Sequence, residues 1–202
     1  MTFTGLVGTV CMFPLRAIIR ACVLLRIHPN VLTFVGVLIN LVAAWALATG
    51  RFVTAGGIMI AANIFDFIDG KVAREMGMES AFGGFWDSVM DRFSDLALFL
   101  GLVYLYSSVH RTDYVVICVM AMIFTVLTSY ARARAESVVA KCKVGFMERP
   151  ERIVLFMIGA FTNRMAAVLW VILVLSILTV ADRIFYTWRE LERAKAPERV
   201  PV

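Results

Sequence analysis

Residues 66–91 read DFIDGKVAREMGMESAFGGFWDSVMD, a stretch in which carboxylates and glycines interrupt otherwise apolar sequence. Asp66 and Asp69 are three residues apart, and Asp87 and Asp91 are four residues apart, so each pair lies on one face of a helix. Ionisable groups at membrane depth are costly and usually mark a functional site. Two such helices facing each other would present four carboxylates to one point. Hard divalent cations prefer oxygen ligands, so this pattern predicts a metal site.

The surrounding chain has the composition of a polytopic membrane protein. Of its 202 residues, 61% are hydrophobic and only 17% are charged. Apolar stretches of about 20 residues recur, the length that a helix needs to cross the hydrocarbon core of a bilayer. The predicted fold is all-α, with one integral membrane domain of six transmembrane helices over residues 29–188. The candidate spans are residues 31–50, 53–75, 83–105, 114–136, 149–163 and 164–184.

The segments that flank this domain are predicted to stay on one side of the membrane. Residues 1–28 are apolar but interrupted by Arg16, Arg20 and Arg26. We interpret them as an amphipathic helix on the cytoplasmic surface, not a cleaved signal peptide, with a seventh span as the alternative. Residues 189–202 are predicted to form a cytoplasmic tail.

The placement of lysine and arginine predicts the orientation. With six spans, most of these residues fall on one side, and the other side holds only Arg51, Arg111 and Arg164. The positive-inside rule then puts both termini, and the carboxylates, at the cytoplasmic face. We therefore expect a multi-pass protein of the cytoplasmic membrane, with the lipid bilayer and no nucleic acid among its partners.

The pattern Asp-x2-Asp-Gly-x2-Ala-Arg-x8-Gly-x3-Asp-x3-Asp resembles the signature of the CDP-alcohol phosphotransferase family, and the match is complete. The segment His28-Pro29-Asn30-x2-Thr33 is similar to the opening of the family's first span. The resemblance implies a homodimer with a cytoplasm-facing cavity, a CDP-linked donor and CMP as the leaving group. It also implies two divalent cations, Mg²⁺ or Mn²⁺. Their ligands would be Asp66, Asp69, Asp87 and Asp91.

The same resemblance assigns roles to neighbouring residues. It makes Asp91 the general base that takes the proton of the acceptor hydroxyl. The nucleotide pocket would be shaped by Gly70, Ala73, Arg74 and Gly83, with Thr33 at its border. From the residues alone, the small side chains equally suit close packing of membrane helices.

Asp95 continues the helix face of Asp87 and Asp91 by one further turn and stands outside the signature. We expect it to be a partner of Arg92, with a place beside the metals as the alternative.

A second group of charged residues, rich in arginine, indicates which acceptor substrate the protein uses. Ser129-Tyr-Ala-Arg132-Ala-Arg134-Ala-Glu136, followed by Glu148-Arg149-Pro150-Glu151-Arg152, resembles the prokaryotic phosphatidylinositol-phosphate synthase branch of the family. That branch transfers a phosphatidyl group from CDP-diacylglycerol to inositol 1-phosphate. Charge-assisted hydrogen bonds from such arginines can hold a phosphate. Anchoring to anionic lipid is the alternative, and it explains Lys141, Lys195 and Arg199. The predicted acceptor-binding residues are Ser129, Arg132, Arg149, Arg152 and Arg183.

The predicted function is a membrane phosphatidyltransferase of phospholipid biosynthesis, with CDP-diacylglycerol as donor and a phosphorylated polyol, first of all inositol 1-phosphate, as acceptor. One alternative uses glycerol 3-phosphate, although many glycerophosphate-using relatives have Lys where Arg92 stands. Another uses an archaeal-type ether lipid donor. A divalent-metal transporter is the alternative from a different class.

Overall fold

The structure, a computed structural model, describes residues 15–195 of the chain. Seven helices and no strand form this part of the molecule. A first helix, α1, covers residues 15–24. The others are α2 (Pro29–Ala48), α3 (Phe52–Glu75), α4 (Ala81–Ser108), α5 (Thr112–Ala135), α6 (Arg149–Phe161) and α7 (Met165–Lys195). The predicted surface helix over residues 1–28 lies in large part outside the described residues.

Local sequence explains where these helices begin and end. Gly50 and Asn163 adopt left-handed backbone conformations, with φ of 72° and 55°, in the turns that follow α2 and α6. The side chain of His28 caps α2 by accepting a hydrogen bond from Asn30 N at 3.2 Å. Ser80 caps α4 in the same way and accepts from the Gly83 backbone N–H. The predicted turns at residues 50–51, 75–80 and 163–164 are thereby confirmed.

Four helices are long and apolar enough to cross a membrane, namely α2, α3, α5 and α7. Helix α4 has 28 residues, but its first half carries the charged residues of the acidic motif. Helix α6 has only 13 residues, fewer than the about 20 that span a bilayer. The six predicted helices are present, and the number of spans remains a prediction.

Helix α7 runs further than the predicted end at residue 184 and continues through residues 189–195, the start of the predicted tail. Arg193 Nη1 pairs with Glu190 Oε1 at 2.9 Å on this extension. Such a pair three residues apart supports a helix that extends beyond an apolar span.

The helices pack so that one end of the bundle collects the charged residues. Helix α2 packs against α3 and α4, α5 packs against α4 and α7, and α6 packs against α3 and α7. The apolar core is built around Phe99 and Phe156, whose rings meet edge to face at 5.0 Å. Short turns join α2 to α3, α3 to α4 and α4 to α5, so the ends of α3 and α5 share one level with the starts of α2 and α4. A longer loop, residues 136–148, leads to α6, and the ion pairs of Glu148 with Arg132 and Arg183 place the start of α6 and the middle of α7 at the same level.

Helices α2 and α4 approach each other closely at Gly101. A Cβ atom at this position would lie 2.2 Å from the carbonyl oxygen of Ala44. We expect Gly101→Ala to push the two helices apart and to lower stability by about 1–3 kcal/mol, the usual cost of overpacking. The measurement is thermal unfolding in detergent. Gly57→Ala is the matched control, since a Cβ there meets nothing within 4 Å, and equal unfolding midpoints would contradict the close approach.

Candidate active site and metal centre

Three of the predicted carboxylates converge between α3 and α4. Oxygen atoms of Asp66, Asp69 and Asp87, the carboxylate cluster, lie within 4.8 Å of one another. Asp69 is buried, and the hydroxyl of Thr33 on α2 donates a hydrogen bond to its carboxylate. Three oxygen ligands this close together suit a hard divalent cation. Three of the four predicted ligands therefore fit a metal, and Asp91 lies outside this cluster.

Asp91 lies one helical turn beyond the cluster on α4. Its side chain is 14% exposed, and its Oδ1 is 2.7 Å from Arg149 Nη1. The same nitrogen donates to Asp66 Oδ2 at 2.9 Å. Arg149, at the start of α6, thus joins a carboxylate of α3 to a carboxylate of α4. From the sequence, Arg149 was predicted only to bind the acceptor substrate. Its distance along the chain from Asp66 and Asp91 gives no indication of a contact with these aspartates.

Asp95 and Arg152 form a buried ion pair that the sequence did not predict. Their side chains are 3% and 2% exposed, and Arg152 Nη2 donates to Asp95 Oδ2. The expected pairing of Asp95 with Arg92 is wrong: Asp95 pairs with Arg152, and Arg92 donates to the Ser88 carbonyl. Arg152 follows Arg149 by one turn of α6 and so meets Asp95, which follows Asp91 by one turn of α4. Arg152 thus meets one other predicted acceptor residue, Arg149, through Asp95, whose Oδ1 lies 4.0 Å from Arg149 Nε.

A large cavity of about 350 Å³ opens beside the cluster, between α2, α3 and α4. Asp69 and Asp87 form part of its wall. The structure brings all the predicted nucleotide-pocket residues to this cavity. They are Thr33, Gly70, Ala73, Arg74 and Gly83. Asn30, Glu79 and Ser80 also line it and were missed, although the His28-Pro29-Asn30 segment offered a signal for the first.

Arg74 places a cation on the wall of the large cavity. Its side chain is exposed, and its Nε donates to the Gly70 carbonyl at 3.0 Å. Glu79 is 3.8 Å away, a weak exposed contact that leaves the guanidinium available. The cavity thus combines carboxylates that can bind metal with a cation that can bind phosphate, an arrangement suited to a metal-bound diphosphate.

A second cavity of about 90 Å³, the arginine cavity, lies between the last turns of α5, the start of α6, the middle of α7 and Arg92 of α4. Four of the five predicted acceptor residues line it. They are Ser129, Arg132, Arg149 and Arg183. Glu148 also lines it, and its Oε1 accepts hydrogen bonds from Arg132 Nη1 at 2.8 Å and Arg183 Nη2 at 3.2 Å. Glu148 had no predicted role, yet it holds two arginines side by side.

Arg183 also attaches the loop before α6 to α7. It is buried, and its Nε donates to the Val144 carbonyl at 3.0 Å. Nearby, Met147 N donates to Thr179 Oγ1 at 2.9 Å, so two bonds hold residues 144–147 against α7. Arg183 Nη1 donates to the Thr128 carbonyl and thereby joins α7 to α5.

Comparison with known proteins relates these residues to a family. The sequence model described as CDP-alcohol phosphatidyltransferase matches residues 26–185. The archaetidylinositol phosphate synthase of Methanothermobacter thermautotrophicus is 32% identical over 167 residues, which cover 80% of this chain and 83% of that protein. The phosphatidylinositol phosphate synthase of Mycobacteroides abscessus is 34% identical over 164 residues, which cover 77% and 74%.

Solved structures show the same fold. The phosphatidylinositol phosphate synthase of Mycobacterium tuberculosis with CDP-DAG bound is similar with a TM-score of 0.80 and 25% identity, covering 93% of this chain and 98% of that chain. The same enzyme in complex with manganese and citrate gives a TM-score of 0.79 and 26% identity, covering 92% and 91%. The similarity extends over nearly the whole length of both chains.

Proposed function

Because the chain belongs to the CDP-alcohol phosphatidyltransferase family, we propose that it transfers the phosphatidyl group of CDP-diacylglycerol to inositol 1-phosphate and releases CMP. One observation carries this proposal: the carboxylate cluster lies between the large cavity and the arginine cavity. Arg149 links the two regions, because it lines the arginine cavity and pairs with Asp66 of the carboxylate cluster. A donor and a phosphorylated acceptor can meet there. Family membership makes the chain an enzyme, against the divalent-metal transporter considered from the sequence.

The donor side uses the cluster and the large cavity. Asp66, Asp69 and Asp87, with Asp91, hold the divalent cations, which neutralise charge on the diphosphate and on departing CMP. The small side chains of Gly70, Ala73 and Gly83 admit the nucleotide close to the helix backbones. Arg74 donates charge-assisted hydrogen bonds to its phosphates.

Asp91 is the proposed general base. The acceptor hydroxyl oxygen attacks the phosphorus that carries the diacylglycerol, and its proton passes to the Asp91 carboxylate. The bond from this phosphorus to the bridging oxygen breaks, and CMP leaves with the electron pair. Asp91 lies beside Arg149 of the arginine cavity, so a bound acceptor would have its hydroxyl near this carboxylate. Positioning of the two reactants supplies much of the rate.

The acceptor side uses the arginine cavity. Arg132, Arg149 and Arg183 bind the phosphate of the acceptor, Ser129 borders it, and Glu148 keeps two of these arginines in place. Arg152 does not bind the acceptor itself; it pairs with Asp95 and thereby fixes the first turn of α6. A free polyol offers these arginines no charged group to bind.

The fold and the family support a proposal for the membrane location, topology and oligomeric state of the protein. The protein lies in the membrane, where four helices are long and apolar enough to span. We further propose six spans, a homodimer in the cytoplasmic membrane, and both termini on the cytoplasmic side. The support is that both cavities open at the end of the bundle rich in lysine and arginine, the end that the positive-inside rule assigns to the cytoplasm.

A panel of acceptors tests the proposed function. Purified protein is given CDP-diacylglycerol and Mg²⁺ or Mn²⁺, and CMP release is measured with inositol 1-phosphate, free inositol or glycerol 3-phosphate. We expect release with inositol 1-phosphate to exceed release with the other two. If free inositol is the better acceptor, the phosphate-binding role of the arginines is wrong.

Arg132→Ala should weaken acceptor binding selectively. One charged hydrogen bond is worth about 1.5–3 kcal/mol, so the KM for inositol 1-phosphate should rise at least about tenfold, with little change in the KM for the donor. Arg134→Ala is the matched control on the same helix, because Arg134 is exposed, bonds to Ser137 and lies outside the arginine cavity. Equal effects of the two changes would contradict the assignment.

A further inference from the structure

Arg149 lies between two carboxylates, Asp66 and Asp91, and each of them needs a positively charged partner. Its Nη1 lies 2.7 Å from Asp91 Oδ1 and 2.9 Å from Asp66 Oδ2. Both aspartates belong to the set proposed to bind the divalent cations. The guanidinium and the cations therefore compete for the same carboxylate oxygens.

The same side chain belongs to the walls of two cavities. It lines the arginine cavity with Arg132 and Arg183. It also lines a narrow cleft beside Asp66 and Asp91. The arginine side chain is long and has several rotatable bonds, so its guanidinium can change partners without movement of a helix.

The backbone under Arg149 is fixed on both sides. Glu148 and Glu151 form a capping box that closes the start of α6. One turn further, Arg152 is buried and paired with Asp95. These anchors hold the first turn of α6 against α4, so a change of partner by Arg149 is confined to its side chain.

We propose that Arg149 couples the carboxylate cluster to the arginine cavity: it gives up Asp66 and Asp91 when these carboxylates bind a divalent cation, and its guanidinium then donates to the acceptor phosphate. This inference rests on the proposed function, which supplies the metal and the acceptor. Charge balance supports it, because two divalent cations match the four aspartates and leave the charge of Arg149 for the phosphate. The acceptor therefore binds most tightly to protein that already holds metal.

The first test measures Mn²⁺ binding, from the electron paramagnetic resonance signal of free Mn²⁺. Arg149→Gln removes the competing cation, so we expect Mn²⁺ affinity to rise at least about tenfold, as for the loss of one charged hydrogen bond. Arg134→Gln controls for the loss of one positive charge from the same end of the bundle, since Arg134 is exposed, bonds to Ser137 and lies outside the arginine cavity. Its effect should stay below about threefold. Equal effects, or weaker binding by Arg149→Gln, overturn the proposal.

The second test measures the coupling itself and needs no variant. Calorimetry gives the affinity for inositol 1-phosphate with and without saturating Mn²⁺, in the absence of donor. We expect Mn²⁺ to raise this affinity at least about tenfold in the wild type, and inositol 1-phosphate to raise Mn²⁺ affinity by the same factor. In Arg149→Gln, Mn²⁺ should change the affinity for inositol 1-phosphate by less than about threefold.

The outcomes separate this inference from the proposed function. Wild-type protein that binds neither Mn²⁺ nor inositol 1-phosphate contradicts both. Wild-type protein that binds the two independently contradicts only the coupling. Enhancement by Mn²⁺ that persists in Arg149→Gln also contradicts the coupling, because the metal would then attract the phosphate without help from Arg149.

Discussion

Asp69→Asn will lower CMP release by at least about a hundredfold, since changes to mere outer partners of metal ligands already cost about 10- to 100-fold. Asp69 supplies one of three oxygens that lie within 4.8 Å of one another. Asparagine keeps the size of the side chain and an oxygen that can accept from Thr33, so the protein should still insert and fold. Asp66→Asn and Asp87→Asn should have similar effects. The measurement is CMP release with saturating Mg²⁺ or Mn²⁺.

The same substitution at the opposite end of the bundle is the control. Asp113, at the start of α5, is exposed and pairs with Arg111 at 2.8 Å. Exposed ion pairs contribute about 0–1 kcal/mol, so Asp113→Asn should leave CMP release unchanged. Near-normal rates in all three cluster variants would refute the metal centre.

Asp91→Asn should abolish transfer and preserve binding of the donor. Asp91 lies beyond the cluster of Asp66, Asp69 and Asp87, so the three closest oxygens remain after the change. Asparagine cannot take a proton from the acceptor hydroxyl, and general bases contribute about 10²- to 10⁴-fold to rates. CMP release and binding of CDP-diacylglycerol are measured on the same preparation.

Asp87→Asn is the informative partner of this variant, because the two residues are one turn apart on α4. We expect Asp87→Asn to lose Mn²⁺ binding as well as turnover, whereas Asp91→Asn still binds Mn²⁺ through the cluster of Asp66, Asp69 and Asp87, with lower affinity than the wild type. If Asp91→Asn leaves the transfer rate unchanged, the base has been misassigned.

Helical periodicity explains why so much of the site was predictable from the sequence. The spacings within Asp66–Asp69 and Asp87–Asp91 fix which side chains share a face, and the loop at residues 76–80 is too short to let the two helices separate. Turn residues such as Gly50 and Asn163 mark helix ends through their positive φ. Local rules of this kind act within a few residues and need no knowledge of the rest of the fold.

Contacts between distant helices were the part that the sequence did not reveal. Asp95 and Arg152 are 57 residues apart, and their pairing depends on the rotation of α6 about its own axis. The same rotation directs Arg149 toward Asp66, 83 residues earlier. Glu148 was overlooked because a carboxylate within a basic segment looks like local charge balance, whereas its contact with Arg183 depends on the packing of α7 against the start of α6.

In the proposed six-span arrangement, the shortness of α6 would set the depth at which the reaction takes place. Its 13 residues rise about 20 Å from the turn at residues 162–164, and α3 rises about the same distance from Phe52 to Asp66. A hydrocarbon core is about 30 Å thick, so with those turns at its far surface Arg149 and Asp66 would meet about 10 Å below its near surface. A water-filled cavity of that depth would let a sugar phosphate reach a donor whose diacylglycerol stays among the lipid tails. The reaction would then need no lipid to leave the bilayer.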